Sequence, residues 1–249
     1  MIIDLEKRWP QQPGEPTVIS VGFMPGAPRH LQELVIEAAK EWEKCNIRFE
    51  WGPPEKSDIR IAITIAFNKS EESSWTVVGT EAKRLSSDTP TMELTWANNE
   101  NAFRHSILHE FGHVLGAEHE HCSPYFPYHW NRAVIESAFE RQLGSREKAI
   151  DMLRRNMKRR IPPNQPNVLI SRFDEKSIMM YVLHKEWLRW HNDFKKEPRH
   201  FLENHDLSAL DIRTMKEAYP RQLSFTSSPK VSLAVLGTLL IIIGIKYKA

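Results

Sequence analysis

The segment from residue 109 to residue 121 constrains this chain more than any other, because it places histidines at fixed spacings. It reads His-Glu-Phe-Gly-His-Val-Leu-Gly-Ala-Glu-His-Glu-His. His109 and His113 are four residues apart, so on a helix their side chains lie on one face, one turn apart. Two imidazoles in this arrangement can each place a nitrogen about 2.0–2.1 Å from one zinc ion.

The residues that follow this pair predict a third metal ligand. Gly116 comes three residues after His113, where helices commonly end in a left-handed conformation that glycine adopts at little cost. The reversal of the chain would bring His119 back to the metal and leave a fourth position open for water, as in catalytic zinc sites. Glu110 is placed to reach that water without binding the metal itself. We therefore predict one catalytic Zn²⁺ ion, bound by His109, His113 and His119.

Three residues near these ligands in the sequence are not expected to bind the metal. His105, one turn before His109, is expected on the helix surface or behind a ligand. His121 is expected in contact with solvent, with a role in orienting the site as the alternative, and Cys122 is expected to be a small buried residue.

The composition limits the class of protein. Of the 249 residues, 41% are hydrophobic and 27% are charged, which excludes a chain that is disordered throughout. The formal net charge is only +2, so charge gives no argument for a nucleic-acid partner, and we predict none. With only two cysteines, Cys45 and Cys122, the chain can be neither a disulfide-stapled scaffold nor a Cys-only zinc protein. A single bridge between them stays open.

The hydrophobic pattern predicts strands around an early helix, followed mostly by helices and loops. The predicted strands are 47–51, 59–66, 74–78 and 91–96. The predicted helices are 28–42, 102–115, 131–160 and 206–219. Ser208 is the expected N-cap of the last helix. This order of elements indicates an α+β fold.

The C-terminal region differs from the rest of the chain, because residues 231–245 carry no charge and have lysines on both sides. As a helix this segment would be about 22 Å long, and lysine snorkelling and local thinning can offset its shortfall against a membrane. We interpret 223–230 as a linker and 231–245 as a transmembrane tail; a buried or partner-binding helix is the alternative. With no signal peptide visible, the tail would anchor a catalytic domain that faces the cytosol. A secreted or soluble protein is the alternative.

The histidine motif resembles that of the metzincin zinc endopeptidases, which is His-Glu-x-x-His-x-x-Gly-x-x-His. Metzincins also have a methionine turn beneath the metal, and Ser-Ile-Met-Met-Tyr at 177–181 is similar to one. Glu120 after the third histidine, together with a Ser-x-Met-x-Tyr turn, is similar to the astacin branch. The resemblance extends over residues 15 to 220 and includes a closing helix before Tyr219.

The resemblance implies an α+β metzincin-like fold that is divided by an active-site cleft. Residues 15–119 would form an N-terminal subdomain with a twisted sheet and two long helices, one of which carries the active site. Residues 120–222 would form a mainly helical and irregular C-terminal subdomain with the methionine turn and the last helix. Strand 91–96 would be the edge strand that pairs with an extended substrate; an ordinary sheet strand is the alternative.

The resemblance also implies roles for single residues. Met179 takes the methionine-turn position, with Met180 as the alternative register. Tyr181 takes the position of the tyrosine that can join the zinc, and would donate a hydrogen bond to the oxyanion of the reaction. In mature astacins the glutamate that corresponds to Glu120 meets the freed N-terminus. Astacins also have a signal, a propeptide and two disulfides, which are not visible in this sequence.

Together, the motif and the resemblance predict a zinc-dependent metalloendopeptidase whose partner is a peptide or protein substrate. Zinc would activate a water molecule, and Glu110 would take its proton as general base and pass it to the departing amine. Two alternatives stay open. The first is a catalytically silent metzincin fold that serves as a membrane-tethered binding module, and the second is a zinc hydrolase of a non-peptide amide.

Overall fold

The computed structural model describes residues 1–66, 74–157, 160–190 and 197–221. The strands in these ranges are β1 (Ile2–Asp4), β2 (Thr17–Phe23), β3 (Ile47–Trp51), β4 (Ile59–Ile65), β5 (Trp75–Thr76), β6 (Met92–Trp96), β7 (Ala117–Glu118), β8 (Tyr128–Trp130), β9 (Val168–Ile170) and β10 (Leu188–Trp190). The α-helices are α1 (Arg29–Ala39), α2 (Glu100–Val114), α3 (Arg132–Leu143), α4 (Arg146–Asn156) and α5 (Ala209–Ala218). The predicted α+β fold class is confirmed.

The main sheet has five strands in the order β3, β2, β4, β6, β5. The first four pair in parallel, and β5 pairs with β6 in the antiparallel direction. The prediction that 91–96 is the edge strand is therefore wrong, because residues 75 and 76 fold back along β6 and occupy the edge. The alternative, an ordinary strand within the sheet, is what the structure shows.

One predicted helix is divided in two. Residues 131–160 were expected to form a single helical stretch, but α3 ends at Leu143 and α4 begins at Arg146. Gly144 adopts a left-handed conformation with φ of 65°, which ends α3. The side chain of Ser145 then accepts a hydrogen bond from the Lys148 N–H and caps α4.

Among the described residues, buried hydrophobic side chains form two clusters. The first lies around the main sheet, α1 and α2, and it includes Met1 at the N-terminus and Met215 on α5. The second cluster is built from residues between 126 and 201, including side chains of α3 and α4. The predicted division of the chain between residues 119 and 120 stays a prediction. Helix α5, which belongs to the second part in that division, packs into the first cluster.

No helix within the described ranges is long and apolar enough to cross a membrane. The predicted linker at 223–230 and the predicted transmembrane tail at 231–245 lie outside the described residues. The tail-anchored location therefore stays a prediction.

The two cysteines are both buried and no disulfide joins them. The thiol of Cys45 donates a hydrogen bond to the carbonyl of Ile212 on α5, with Sγ 3.6 Å from the oxygen. Burial raises the pKa of this thiol to about 11. The reactive thiolate is therefore scarce in the folded protein.

We expect Cys45 to react with a thiol reagent such as Ellman's reagent at least about 100-fold more slowly in the folded protein than in urea at pH 8, because only the thiolate reacts. The measurement uses a Cys122→Ser background, so that one thiol is counted. Equal rates in the two states would contradict the buried position of Cys45.

Candidate metal centre

Helix α2 carries the first two histidines of the motif and is held firmly along that stretch. The side chain of Asn99 caps its start by accepting a hydrogen bond from the Ala102 N–H. Every residue from 107 to 114 is buried. The indole N–H of Trp42 donates to the Leu108 carbonyl at 3.0 Å. The side chains on this part of the helix therefore keep fixed positions.

The chain reverses its direction directly after α2, as predicted. Gly116 has a φ of 86°, and its N–H donates to the carbonyl of His113 at 2.9 Å. A Cβ atom at this position would lie 3.0 Å from the carbonyl oxygen of Asp4. The absence of a side chain therefore permits both the left-handed turn and the close approach of β1. Strand β7 follows and leads to His119.

The three imidazoles of His109, His113 and His119 meet in one place. Their ring centroids are 4.9 Å, 5.2 Å and 4.6 Å apart, and one nitrogen of each ring lies within 4.8 Å of the others. The Nε2 atoms of His113 and His119 are 3.0 Å apart. Tetrahedral binding of zinc requires nitrogens that are roughly 3.3 Å apart. The arrangement fits one metal ion with small adjustments of the rings.

Backbone carbonyls determine which ring nitrogens carry protons. Nδ1 of His109 lies 2.9 Å from the Ile178 oxygen, and Nδ1 of His113 lies 2.7 Å from the Ala117 oxygen. Because a carbonyl only accepts, Nδ1 holds the proton and the lone pair of Nε2 is left to bind a metal. Burial, together with the neighbouring His113 ring, holds the pKa of His109 well below its usual value. His109 is therefore neutral, as a metal ligand must be.

Glu110 is buried on the same helix, next to His109 in the sequence. Its Oε2 atom is buried and has no hydrogen-bond partner among the described residues. Burial raises the pKa of this carboxyl to about 8. A cation between the histidines would lower that pKa, because a nearby positive charge favours the carboxylate. A buried carboxyl oxygen without a partner is rare in proteins and typical of a group that handles a proton or a water molecule.

Tyr181 packs against the histidine rings. Its ring centroid lies 4.1 Å from that of His119, 4.7 Å from that of His121 and 5.9 Å from that of His109. Burial and the negative charge of Glu110 raise the pKa of the hydroxyl, so the hydroxyl stays protonated at neutral pH. It can therefore act as a hydrogen-bond donor beside the metal position.

Residues 177–180 form a tight turn against α2. The N–H of Met180 donates to the Ser177 carbonyl at 3.0 Å, and both methionines are fully buried. A Cβ atom built on Gly112 would lie 2.4 Å from the sulfur of Met179. Met179 therefore packs directly on the helix between the two histidine ligands, which favours it over Met180 as the methionine of the turn.

We expect Gly112→Ala to lower the free energy of unfolding, because the added methyl group would overlap with Met179 and lie 3.4 Å from the Trp42 ring. Overpacking costs about 1–3 kcal/mol, of which the better helix propensity of alanine offsets up to about 1 kcal/mol. Urea denaturation measures the difference. Gly52→Ala is the matched control, because a Cβ atom there meets nothing within 4 Å. Equal stability of the two variants would contradict the close packing of Met179.

His121 was expected in solvent, and this prediction is wrong, because the residue is fully buried. Its ring stacks on His119 with centroids 5.2 Å apart and contacts Trp130 at 5.6 Å. A 3₁₀ turn over residues 120–122 points all three side chains inward. No hydrophobic spacing signals such a turn, so it could not be predicted from the residues around position 121.

The predictions for Cys122 and His105 are confirmed. Cys122 is buried, with 1% of its surface exposed. The ring centroid of His105 lies 5.7 Å from that of His109, and its Nδ1 contacts the Asn204 carbonyl. His105 is thus a neighbour of a candidate ligand.

Glu120 contacts the N-terminus in this structure. The α-amino group of Met1 lies 2.7 Å from its carboxylate, and both groups are fully buried. The same amino group donates to the Ser171 hydroxyl, and the N–H of Asp174 donates to the second carboxylate oxygen at 2.8 Å. Burial raises the pKa of Glu120 to about 7, and the ammonium of Met1 opposes this rise.

Asp211 joins the start of α5 to the methionine turn. It forms the capping box with Ser208, which confirms the predicted N-cap. Its buried carboxylate also accepts hydrogen bonds from the Ser177 hydroxyl at 2.6 Å and from the Ile178 N–H at 2.8 Å. Since the Ile178 carbonyl contacts His109, this carboxylate supports the candidate ligands from behind.

Comparisons with known proteins connect this geometry to solved structures. No protein-family model and no curated protein matches the chain. A structure of myroilysin, an astacin-family metalloprotease, matches with a TM-score of 0.73 and 24% identity, over 90% of this chain and 100% of that one. A second myroilysin structure matches with a TM-score of 0.59 and 26% identity, over 86% of each chain. High choriolytic enzyme 1, a hatching enzyme zinc-protease from the medaka fish Oryzias latipes, matches with a TM-score of 0.56 and 16% identity, over 86% of this chain and 94% of that one.

The chain has the fold of an astacin-like metzincin. The match with the first of these structures covers 90% of this chain and the whole of the other. The two stretches of sequence whose motifs resemble those of astacins are 109–120 and 177–181. Those stretches hold the residues that converge on the candidate metal position.

Proposed function

We propose that the protein is a zinc-dependent metalloendopeptidase that hydrolyses peptide bonds with Glu110 as general base. The observation that carries this proposal is that nitrogens of three histidines converge. The buried carboxyl group of Glu110 lies on α2, the helix that carries two of these histidines. The astacin-like fold supports it, because the similar solved structures include a zinc-protease.

The roles of the residues follow from their positions. His109, His113 and His119 would hold the zinc ion, since their nitrogens converge and backbone carbonyls hold the Nδ1 protons of the first two. When bound, zinc supplies a Lewis acid that polarises a carbonyl and lowers the pKa of water. Glu110 takes the proton of the attacking water and passes it to the departing amine. Its unpartnered Oε2 atom supports this role.

Tyr181 is proposed to stabilise the oxygen on which negative charge develops. Its ring lies against His119, and its raised pKa keeps the hydroxyl proton in place for donation. Tyr181→Phe would keep the ring contacts and lose only the donor. We therefore expect a lower kcat with an unchanged metal content in this variant.

The test combines metal analysis with a proteolysis assay. We expect the purified chain to bind a zinc ion that His113→Ala loses, and to cleave casein. Treatment with 1,10-phenanthroline should stop cleavage, and added zinc should restore it. A panel of peptides and small amides separates the alternatives. Zinc binding without cleavage of any unfolded protein would support the binding module, and cleavage of small amides alone would support the amide hydrolase.

A further inference from the structure

A second group of metal-ligating side chains lies on the surface. It consists of His184, Glu186 and His200, all of which are exposed. One ligand atom of each lies within 4.8 Å of the others. The two imidazole rings are 5.9 Å apart between centroids and nearly perpendicular, at 87°. Neither the histidine motif nor the methionine turn includes these residues.

An antiparallel bridge between Leu183 and Phe201 sets the two histidines opposite each other. Each residue of the bridge donates its N–H to the carbonyl of the other, at 3.0 Å and 2.9 Å. His184 follows the first residue and His200 precedes the second, so they face each other across the two chain segments. Leu183 and Phe201 are buried in the second hydrophobic cluster. Because side chains alternate along extended chain, the histidines lie on the outer side.

The third ligand comes from a 3₁₀ turn over Lys185–Trp187, in which Glu186 stands two residues after His184. Trp187 holds this turn in place. Its ring contacts His184 with centroids 4.9 Å apart, and it contacts Phe139 of α3 at 5.7 Å. The backbone that carries all three ligands is therefore anchored by buried contacts before any ion binds.

The donor set suits a divalent transition metal. Two imidazoles and one carboxylate are ligands that zinc binds, and copper and nickel also favour imidazole. Nδ1 of His200 accepts a hydrogen bond from the Lys185 N–H at 3.4 Å. This bond is long and hence weak, so an ion that takes the lone pair displaces little.

We propose that His184, Glu186 and His200 form a second metal site, which binds Zn²⁺ or a similar divalent ion and links residues 183–187 to residues 200–201. Water molecules complete the coordination of the ion, because the three side chains are open to solvent. This site is independent of the proposed protease function.

The first experiment counts bound zinc by mass spectrometry after equilibration of the full chain with micromolar Zn²⁺. We expect two ions in the wild type, one in His200→Ala and one in His113→Ala. His30→Ala is the matched control, because His30 is an exposed histidine outside both groups, and it should keep two ions. One ion in the wild type that only His113→Ala loses would overturn the second site and leave the protease proposal intact. One ion in the wild type that only His200→Ala loses would overturn the protease proposal and leave the second site intact.

The second experiment uses the tryptophan beside the site and needs no active enzyme. Cu²⁺ quenches indole fluorescence at short range, so titration of the protein after loading with one equivalent of zinc should quench Trp187. We expect the apparent affinity to fall at least about tenfold in His184→Ala and in Glu186→Gln. The share of the quenching that comes from Trp187 should be absent in Trp187→Phe. Equal titration curves for His184→Ala and the wild type would overturn the proposal.

Discussion

Glu110→Gln is expected to lower kcat/KM for casein cleavage by about 10²–10⁴-fold, which is the usual contribution of a general base. Glutamine has nearly the shape of glutamate but cannot accept the proton of the attacking water. The three histidines are unchanged, so the zinc content measured by mass spectrometry should equal that of the wild type. The two measurements together separate loss of the base from loss of the metal.

Glu100→Gln serves as the control for this change, because Glu100 is an exposed residue in the first turn of the same helix. It should retain wild-type cleavage. A Glu110→Gln protein that kept more than a tenth of the activity would show that another group acts as the base, and the proposed mechanism would fail.

Asp211→Ala is expected to lower the free energy of unfolding by on the order of 3 kcal/mol, because charge-assisted hydrogen bonds are lost and buried donors are left without partners. The donors are the Ser177 hydroxyl and the N–H groups of Ile178 and Ser208. Two of them belong to the methionine turn, so we also expect a lower affinity for zinc. Urea denaturation and a zinc titration measure the two effects.

Asp206→Ala is the matched control for the stability measurement. The side chain of Asp206 is 83% exposed and lies just before the same helix, where it pairs with Arg104 at 3.3 Å. Its removal should change the free energy of unfolding by no more than about 0.5 kcal/mol. If Asp211→Ala unfolded at the same urea concentration as this control, the link between α5 and the turn would contribute nothing.

The candidate site was largely predictable, because its geometry is local. Because His109 and His113 are four residues apart, their side chains share a face of any helix. Gly116 marks the point at which the chain turns. The start of α5 was predictable for the same reason, since Ser208 and Asp211 cap the helix within one turn. Each of these features depends on residues that are close together in the sequence.

Features that depend on distant contacts were not predictable. His121 is buried because the rings of Tyr181 and Trp130 pack against it. Nothing in the sequence near position 121 indicates these two partners. The edge position of β5 likewise depends on a return of the chain along β6 that a two-residue strand cannot signal. The break between α3 and α4 is different, because Gly144-Ser145 is a local signal for the end of one helix and the start of the next.

The buried ammonium of Met1 also bears on the surroundings of the candidate metal position. It pairs with Glu120, the residue that directly follows His119, and it donates a hydrogen bond to Ser171. A displacement of the first strand would therefore shift the turn next to a candidate zinc ligand.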